Sequence, residues 1–169
     1  TDPIYAHELG ANTILSTAAY LAKQGLWKQC RNLGIYLIAQ DYEWPFLHWP
    51  INEFAKDPKR YRMQWVVEEP MFLGHYIEDE PTAGPGATPL PHLAKLSAAV
   101  REMDPYHPRF ISEQTGWDRI YAYTPIVDVI GYHLYASSQG YSEHHVEANT
   151  HGMAQIVRDT KPMWVTLQA

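Results

Sequence analysis

The chain has 169 residues, 46% apolar and 19% charged, with a formal charge of −6, which is enough sequence for one domain with a real core and too apolar for disorder. The net negative charge argues against a nucleic-acid partner, since phosphate binding needs clustered Lys and Arg, and no apolar run approaches the roughly 20 residues that span a bilayer. The single cysteine, Cys30, excludes an internal disulfide and leaves the redox compartment open.

The sequence opens at Thr1 with no initiator methionine, signal peptide or transit segment, so an upstream part is expected and the location, secreted or periplasmic among the options, stays open. Asn12 to Ser16 is the first β-prone run. Ala22, Leu26, Cys30 and Leu33 then recur at helical spacing, with Gly34 as the stop. Ile35 to Ala39 is a continuous apolar strand of the kind buried on both faces. Asp57-Pro58 reads as an N-cap followed by proline at the first helical position, starting a helix to about Val66. Met71 to Ile77 is the third strand, and residues 82–89, rich in Gly and Pro, form a loop. Leu93, Leu96, Val100 and Met103 line an amphipathic helix that Asp104-Pro105 closes. Arg109 to Ser112 is the fourth strand, Trp117 to Tyr123 a short helix and Val127 to Leu134 the fifth strand. A helix from about Glu143 to Asp159 leads to the last strand, Pro162 to Leu167.

Six β-runs separated by helices predict a parallel sheet of βαβ units. An eight-stranded barrel takes about 250 residues. The expected fold class is therefore α/β, a (β/α)8 TIM barrel present as an incomplete barrel with six of its eight units, and residues 1–169 form a single partial domain. The rival, an open doubly wound sheet, has no GxGxxG or GxxxxGK phosphate loop behind it.

Polar residues stand where each strand gives way to its loop: Ser16, the run Gln40-Asp41-Tyr42-Glu43-Trp44, Glu78-Asp79-Glu80, Glu113-Gln114, His133 with Tyr135, and Gln168. In parallel α/β folds those ends converge on the active-site mouth. Aromatics make up 13% of the chain, and Tyr42, Trp44, Trp49, Trp117, Tyr132 and Tyr135 fall near predicted strand ends. Each alone reads as core filling. As a set beside acids they suit a cleft that stacks on sugar rings and hydrogen-bonds at the rim.

The stretch GHYIEDEP, residues 74–81, gathers three acids at a strand tip and stops them with Pro81. On a regular strand Glu78 and Glu80 point one way and Asp79 the other. Crowded carboxylates hold a proton more readily than isolated ones, which keeps an acid available near neutral pH. A solvated acidic loop, or a cap on a helix N-terminus, is the plain alternative.

Asp79-Glu80-Pro81 resembles the Asn-Glu-Pro of TIM-barrel glycoside hydrolases of the large retaining clan. The fuller set is GHYIEDEP, VREMDPYHPRF, VDVIGYHLY and KPMWVTLQA in order. It is similar to a bacterial group of glycosyl hydrolases with a DEP motif on the fourth strand. The resemblance implies a glycosidase acting on a poly- or oligosaccharide, with no cofactor. Glu80 would be the general acid/base, Asp79 would stand where the clan's Asn holds a sugar hydroxyl, and Tyr135 or Tyr132 would take the sixth-strand aromatic position. The clan's nucleophile is a Glu at the end of the seventh strand, where this chain has Gln168. A neutral amide cannot replace a carboxylate, so the second carboxylate falls to Glu113, Asp41, Glu43 or a residue past Ala169. Failing these, the chain is a carbohydrate-binding barrel that does not cleave.

The substrate-facing set is thus expected to include Asp41, Tyr42, Trp44, Trp117, Tyr132, His133, Tyr135 and Gln168. His133 could hydrogen-bond a sugar hydroxyl or be a satisfied core histidine. A metal site from His144, His145 and His151 with Glu143 and Glu147, or from His75 near the acids, is not expected, for no HExxH spacing occurs. Cys30 reads as core, and Ser16, Ser112 and Ser137 lack a GxSxG elbow. Oligomeric state is open. Two unpaired sheet edges predict that residues 1–169 alone self-associate and are inactive.

Overall fold

A computed structural model describes residues 2–17, 20, 25–40, 67–81, 88–113, 117–134, 143–158 and 161–167. Its strands are β1 (Thr13–Ser16), β2 (Tyr36–Ala39), β3 (Phe72–Asp79), β4 (Arg109–Glu113), β5 (Val129–Leu134) and β6 (Met163–Leu167), hydrogen-bonded in chain order. The recorded pairings β1–β2, β2–β3, β4–β5 and β5–β6 are all parallel. The helices are α1 (Pro3–Glu8), α2 (Leu26–Leu33), α3 (Leu90–Met103), α4 (Trp117–Tyr123) and α5 (Glu143–Val157). The fold is α/β with a six-stranded parallel sheet. Among the described residues no helix is long and apolar enough to cross a membrane. Two compact units are distinguished, residues 1–77 with 95–109, and 78–94 with 110–169.

In the first unit, α1 precedes anything the periodicity assigns. Its signal is local: the Asp2 carboxylate accepts from the Ile4 amide at 2.8 Å, and Pro3 takes the first turn. The same Asp-Pro pair at 57–58 lies outside the described residues. Helix α2 turns Cys30 wholly inward, where burial pushes the thiol pKa up, and ends at Gly34 with φ +69°, a left-handed cap that glycine adopts without Cβ strain. Leu37, Ile38 and Ala39 of β2 are all buried, as a strand covered on both faces requires. The β2–β3 register slips by one residue, Leu37 pairing with Phe72 but Ile38 with Gly74. Leu73 is the extra residue of that irregularity and is part-exposed. Phe72 and His75, three apart, meet edge to face at 4.8 Å between ring centroids.

Glu69, almost wholly buried, is held by the guanidinium of Arg31 through two hydrogen bonds, the Nε one at 2.9 Å. Burying a carboxylate is costly without such a partner. On α3, Leu93, Leu96 and Val100 are wholly buried, each contributing about 2 kcal/mol by leaving water.

In the second unit, Ile111, Ile130, Ile120, Val127, Met153 and Val157 form the buried core, with α5 packed on α4, β5 and β6. On β4 the register aligns Ser112 with Gly131 of β5 and Trp164 of β6. The Trp164 indole reaches over Gly131 to donate from Nε1 to Ser112 Oγ at 2.9 Å and stacks on Phe110 at 4.9 Å. A Cβ at position 131 would overlap both Trp164 and Ser112. The glycine is what lets the indole cross.

Candidate active site

Strand β3 runs two residues further than its apolar run predicts, so Glu78 and Asp79 are still strand and Glu80 is the first residue off it. The Glu78 carboxylate accepts from Thr88 Oγ1 at 3.2 Å, and the Thr88 amide donates to the Pro81 carbonyl at 2.7 Å. Residues 81 and 88 are thereby tied together.

Glu80 has φ +46°. Left-handed backbone costs a residue with a Cβ about 1–2 kcal/mol, and such strain collects at functional sites. The Glu80 amide nevertheless stays on β4, donating to the Ser112 carbonyl at 2.8 Å. The turn has a consequence for side-chain direction. Strict alternation would send Asp79 and Glu80 to opposite faces, but alternation ends with the strand. Both carboxylates instead address Nδ1 of His133 on β5, Glu80 Oε1 at 3.2 Å and Asp79 Oδ1 at 3.5 Å.

A ring nitrogen lone pair facing two carboxylates would be repelled by both, so chemistry assigns a hydrogen to Nδ1. The imidazole then donates toward two acceptors at once. Glu80 and His133 are largely shielded while Asp79 keeps over a third of its side chain exposed.

Glu113 closes β4 and is wholly buried. It is in register with Tyr132. Alternation puts these two on the face opposite Ser112, Gly131 and Trp164. On that face the Tyr132 hydroxyl donates to Asn149 Oδ1 of α5 at 3.4 Å, so it is the side that α5 covers. His133, next along the strand, lies on the other side with the acids. The structure therefore gathers Asp79, Glu80 and His133, and separates Glu113 and Tyr132 from them by face. Asp41, Tyr42, Glu43, Trp44, Trp49, Gln114, Tyr135 and Gln168 lie outside the described residues, and Trp117 opens α4.

Thr88, Gly131 and Trp164 enter the surroundings of the site without having been singled out. Trp164 had a signal in the sequence, where it precedes Gln168 by two strand periods in the predicted last strand. Thr88 had none. Of the histidines set aside, His144 pairs with Glu147 at 3.4 Å on the exposed side of α5. Among the described residues no group of three or more His, Cys, Asp or Glu is placed to hold a metal ion.

No protein-family model matches this chain, and no curated protein matches it. Solved structures do. The chain is similar to a GH2 beta-galacturonidase from Eisenbergiella tayi, with TM-score 0.68 and 19% identity over 99% of this chain and 31% of that one. It is similar to a beta-glucuronidase from an uncultured Clostridium sp., with TM-score 0.70 and 14% identity over 96% of this chain and 30% of that one. An endo-beta-1,4-mannanase from Thermotoga petrophila matches with TM-score 0.63 and 14% identity over 99% of this chain and 57% of that one. The chain thus spans less than two thirds of each. At these identities the likeness is one of fold, and the structural neighbours of this α/β sheet are glycoside hydrolases.

Proposed function

We propose that this chain is part of a (β/α)8 barrel glycoside hydrolase, supplying about strands 2 to 7, that cleaves O-glycosidic bonds in an oligo- or polysaccharide with Glu80 as general acid/base. The observation that carries the reading is Glu80 itself. It is a strained residue at a strand tip, against His133, in a fold shared with glycosidases. A glycosidic oxygen leaves only when protonated, and the ring carbon it leaves becomes cationic, so an acid is needed on one side and negative charge on the other. Glu80 would give its proton to the leaving oxygen and then take one from water. His133, touching the same carboxylate, would hold it in one rotamer, and Asp79 would accept from a sugar hydroxyl.

Asp79 is not the second catalytic carboxylate in this reading. It follows Glu80's own direction onto one imidazole, whereas the two acids of a glycosidase flank the bond. That role falls to a carboxylate from another strand end, Asp41, Glu43 or a residue beyond 169, since Glu113 lies on the other face of its strand. Tyr42, Trp44, Trp117 and Tyr135 would offer stacking surfaces. A second reading is favoured by Gln168, a neutral amide where the resembled clan has its nucleophile: a carbohydrate-binding barrel without cleavage.

The test uses the full-length parent protein on aryl glycosides and polysaccharides, with Glu80→Gln beside it. Loss of a positioned general acid costs about 10²- to 10⁴-fold, and that drop is the expected result. Hydrolysis at the parental rate in Glu80→Gln would remove the assignment.

A further inference from the structure

The left-handed backbone at Glu80 is opposed from two directions. Its Cβ disfavours a positive φ, and Pro81, next in the chain, pushes the residue before it toward extended backbone. An extended Glu80 would resume the alternation of β3 and carry its carboxylate to the face opposite Asp79. Strain of this kind persists only where the surroundings over-determine it. Thr88 meets the strand tip on both sides of Glu80. Its hydroxyl donates to Glu78 Oε1 at 3.2 Å, before the turn, and its amide donates to the Pro81 carbonyl at 2.7 Å, just after it. Pro81 and Thr88 are both buried, where a hydrogen bond is stronger than in water. Thr88 is itself firmly placed. It enters α3 through Pro89, whose carbonyl accepts from the His92 and Leu93 amides at 2.8 and 3.1 Å, and Leu93 is wholly buried. The tip is therefore held against the start of a helix.

Resting on the glycosidase reading, we propose that Thr88 is a positioning residue for the acid/base. Its hydroxyl and amide clamp residues 78 and 81, so that Glu80 keeps its left-handed turn and its carboxylate stays on His133. Any residue but proline supplies the amide, whereas the hydroxyl requires serine or threonine at this size. Valine keeps the shape of threonine and loses the donor. With the hydroxyl gone, the tip is freer to relax toward the extended backbone that both local preferences favour. A misplacement of about 1 Å in the reacting geometry costs on the order of 10²-fold.

The experiment compares Thr88→Val, Thr88→Ser and Glu80→Gln with the full-length parent on a phenyl and a dinitrophenyl glycoside of the same sugar. Phenolate is a poor leaving group that needs a proton, while dinitrophenolate departs without one. In Thr88→Val, kcat/KM on the phenyl glycoside is expected to fall about tenfold or more, and on the dinitrophenyl glycoside by less than about threefold. Thr88→Ser should stay near the parent on both. Equal losses on the two substrates would show a merely structural role and overturn the proposal. A parental phenyl rate in Thr88→Val beside an impaired Glu80→Gln overturns it too, and leaves the proton donor in place. A second readout needs no turnover: the nitrogen chemical shift of His133 Nδ1, followed by NMR in histidine-labelled protein. That shift should move in Thr88→Val and return in Thr88→Ser. If Glu80→Gln is as active as the parent, or no glycoside is cleaved, the donor reading falls and the shift alone decides the clamp. Moved in valine and restored in serine, it supports the clamp; unmoved in valine, it overturns it. Should Thr88→Val fail to fold, Thr88→Ala takes its place under the same criteria.

Discussion

Asp104 shows how a single buried acid is made tolerable. Its two oxygens accept four hydrogen bonds, from the rings of His75 at 2.8 Å and His107 at 2.7 Å and from the amides of Tyr106 and His107 at 3.1 and 3.2 Å. Burial alone would push its carboxyl pKa up, but those donors outweigh it and hold it well below the usual carboxylate range. The pKa of His75, without exposed surface, is lowered too, but here by burial, against the opposing pull of Asp104. Both shifts make acid destabilising. An unfolded histidine takes a proton below about pH 6.5 that the folded ring refuses, and an unfolded aspartate takes one below about pH 3.9 that folded Asp104 refuses. Thermal melts should therefore show stability falling as pH drops beneath about 6.5, and again beneath about 3.9. Asp104→Ala, which takes their shared acceptor from both rings and two amides, should cost about 3 kcal/mol in denaturant titration at pH 7. A loss under about 1 kcal/mol would mean that the cluster is not a staple.

At the scale of elements, the sheet is organised by what lies on each face. The buried apolar runs, Leu37–Ala39 and Phe110–Ile111, sit between covering layers, while the buried Arg109 guanidinium donates to Ser97 Oγ at 2.7 Å. Gly131 is the position where β5 yields to its neighbours. Because Trp164 and Ser112 already occupy the volume of a Cβ there, Gly131→Ala would force the indole off both the Ser112 hydroxyl and Phe110. Overpacking of this kind costs about 1–3 kcal/mol. Trp164 fluorescence should change together with the melting temperature. A neutral Gly131→Ala would show that the indole has another place to go. The motif VDVIGYHLY thus does two jobs along one strand, with Gly131 admitting Trp164 and His133 meeting the acids.

For the molecule as a whole, the strand order leaves β1 with β2 alone and β6 with β5 alone as partners among the described residues. Leu15 on β1 is 40% exposed, and Ile4, Tyr5 and Leu9 on or just after α1 are exposed as well. An open parallel edge beside apolar side chains is a template for another chain. Residues 1–169 expressed alone should sediment as concentration-dependent oligomers or aggregate, and should not hydrolyse glycosides. A monodisperse monomer that melts cooperatively would count against the incomplete-barrel reading.

Periodicity and punctuation determined most of the elements. Helix α2 with its glycine stop, the buried face of α3, the short α4 and the polar tips of β3, β4 and β5 are all legible, because backbone preference and burial act over a few residues. The exception, α1, was legible too, in an Asp-Pro pair. What only tertiary structure decided is which tip residues meet. Alternation predicts Asp79 and Glu80 apart, and the left-handed turn at Glu80 brings them to one ring. Residue type makes Glu113 and Tyr132 candidates, and the register of β4 on β5 pairs them on the face where the Tyr132 hydroxyl meets Asn149. Register and backbone handedness at a strand end are settled by contacts between segments far apart in the chain, so no local pattern encodes them.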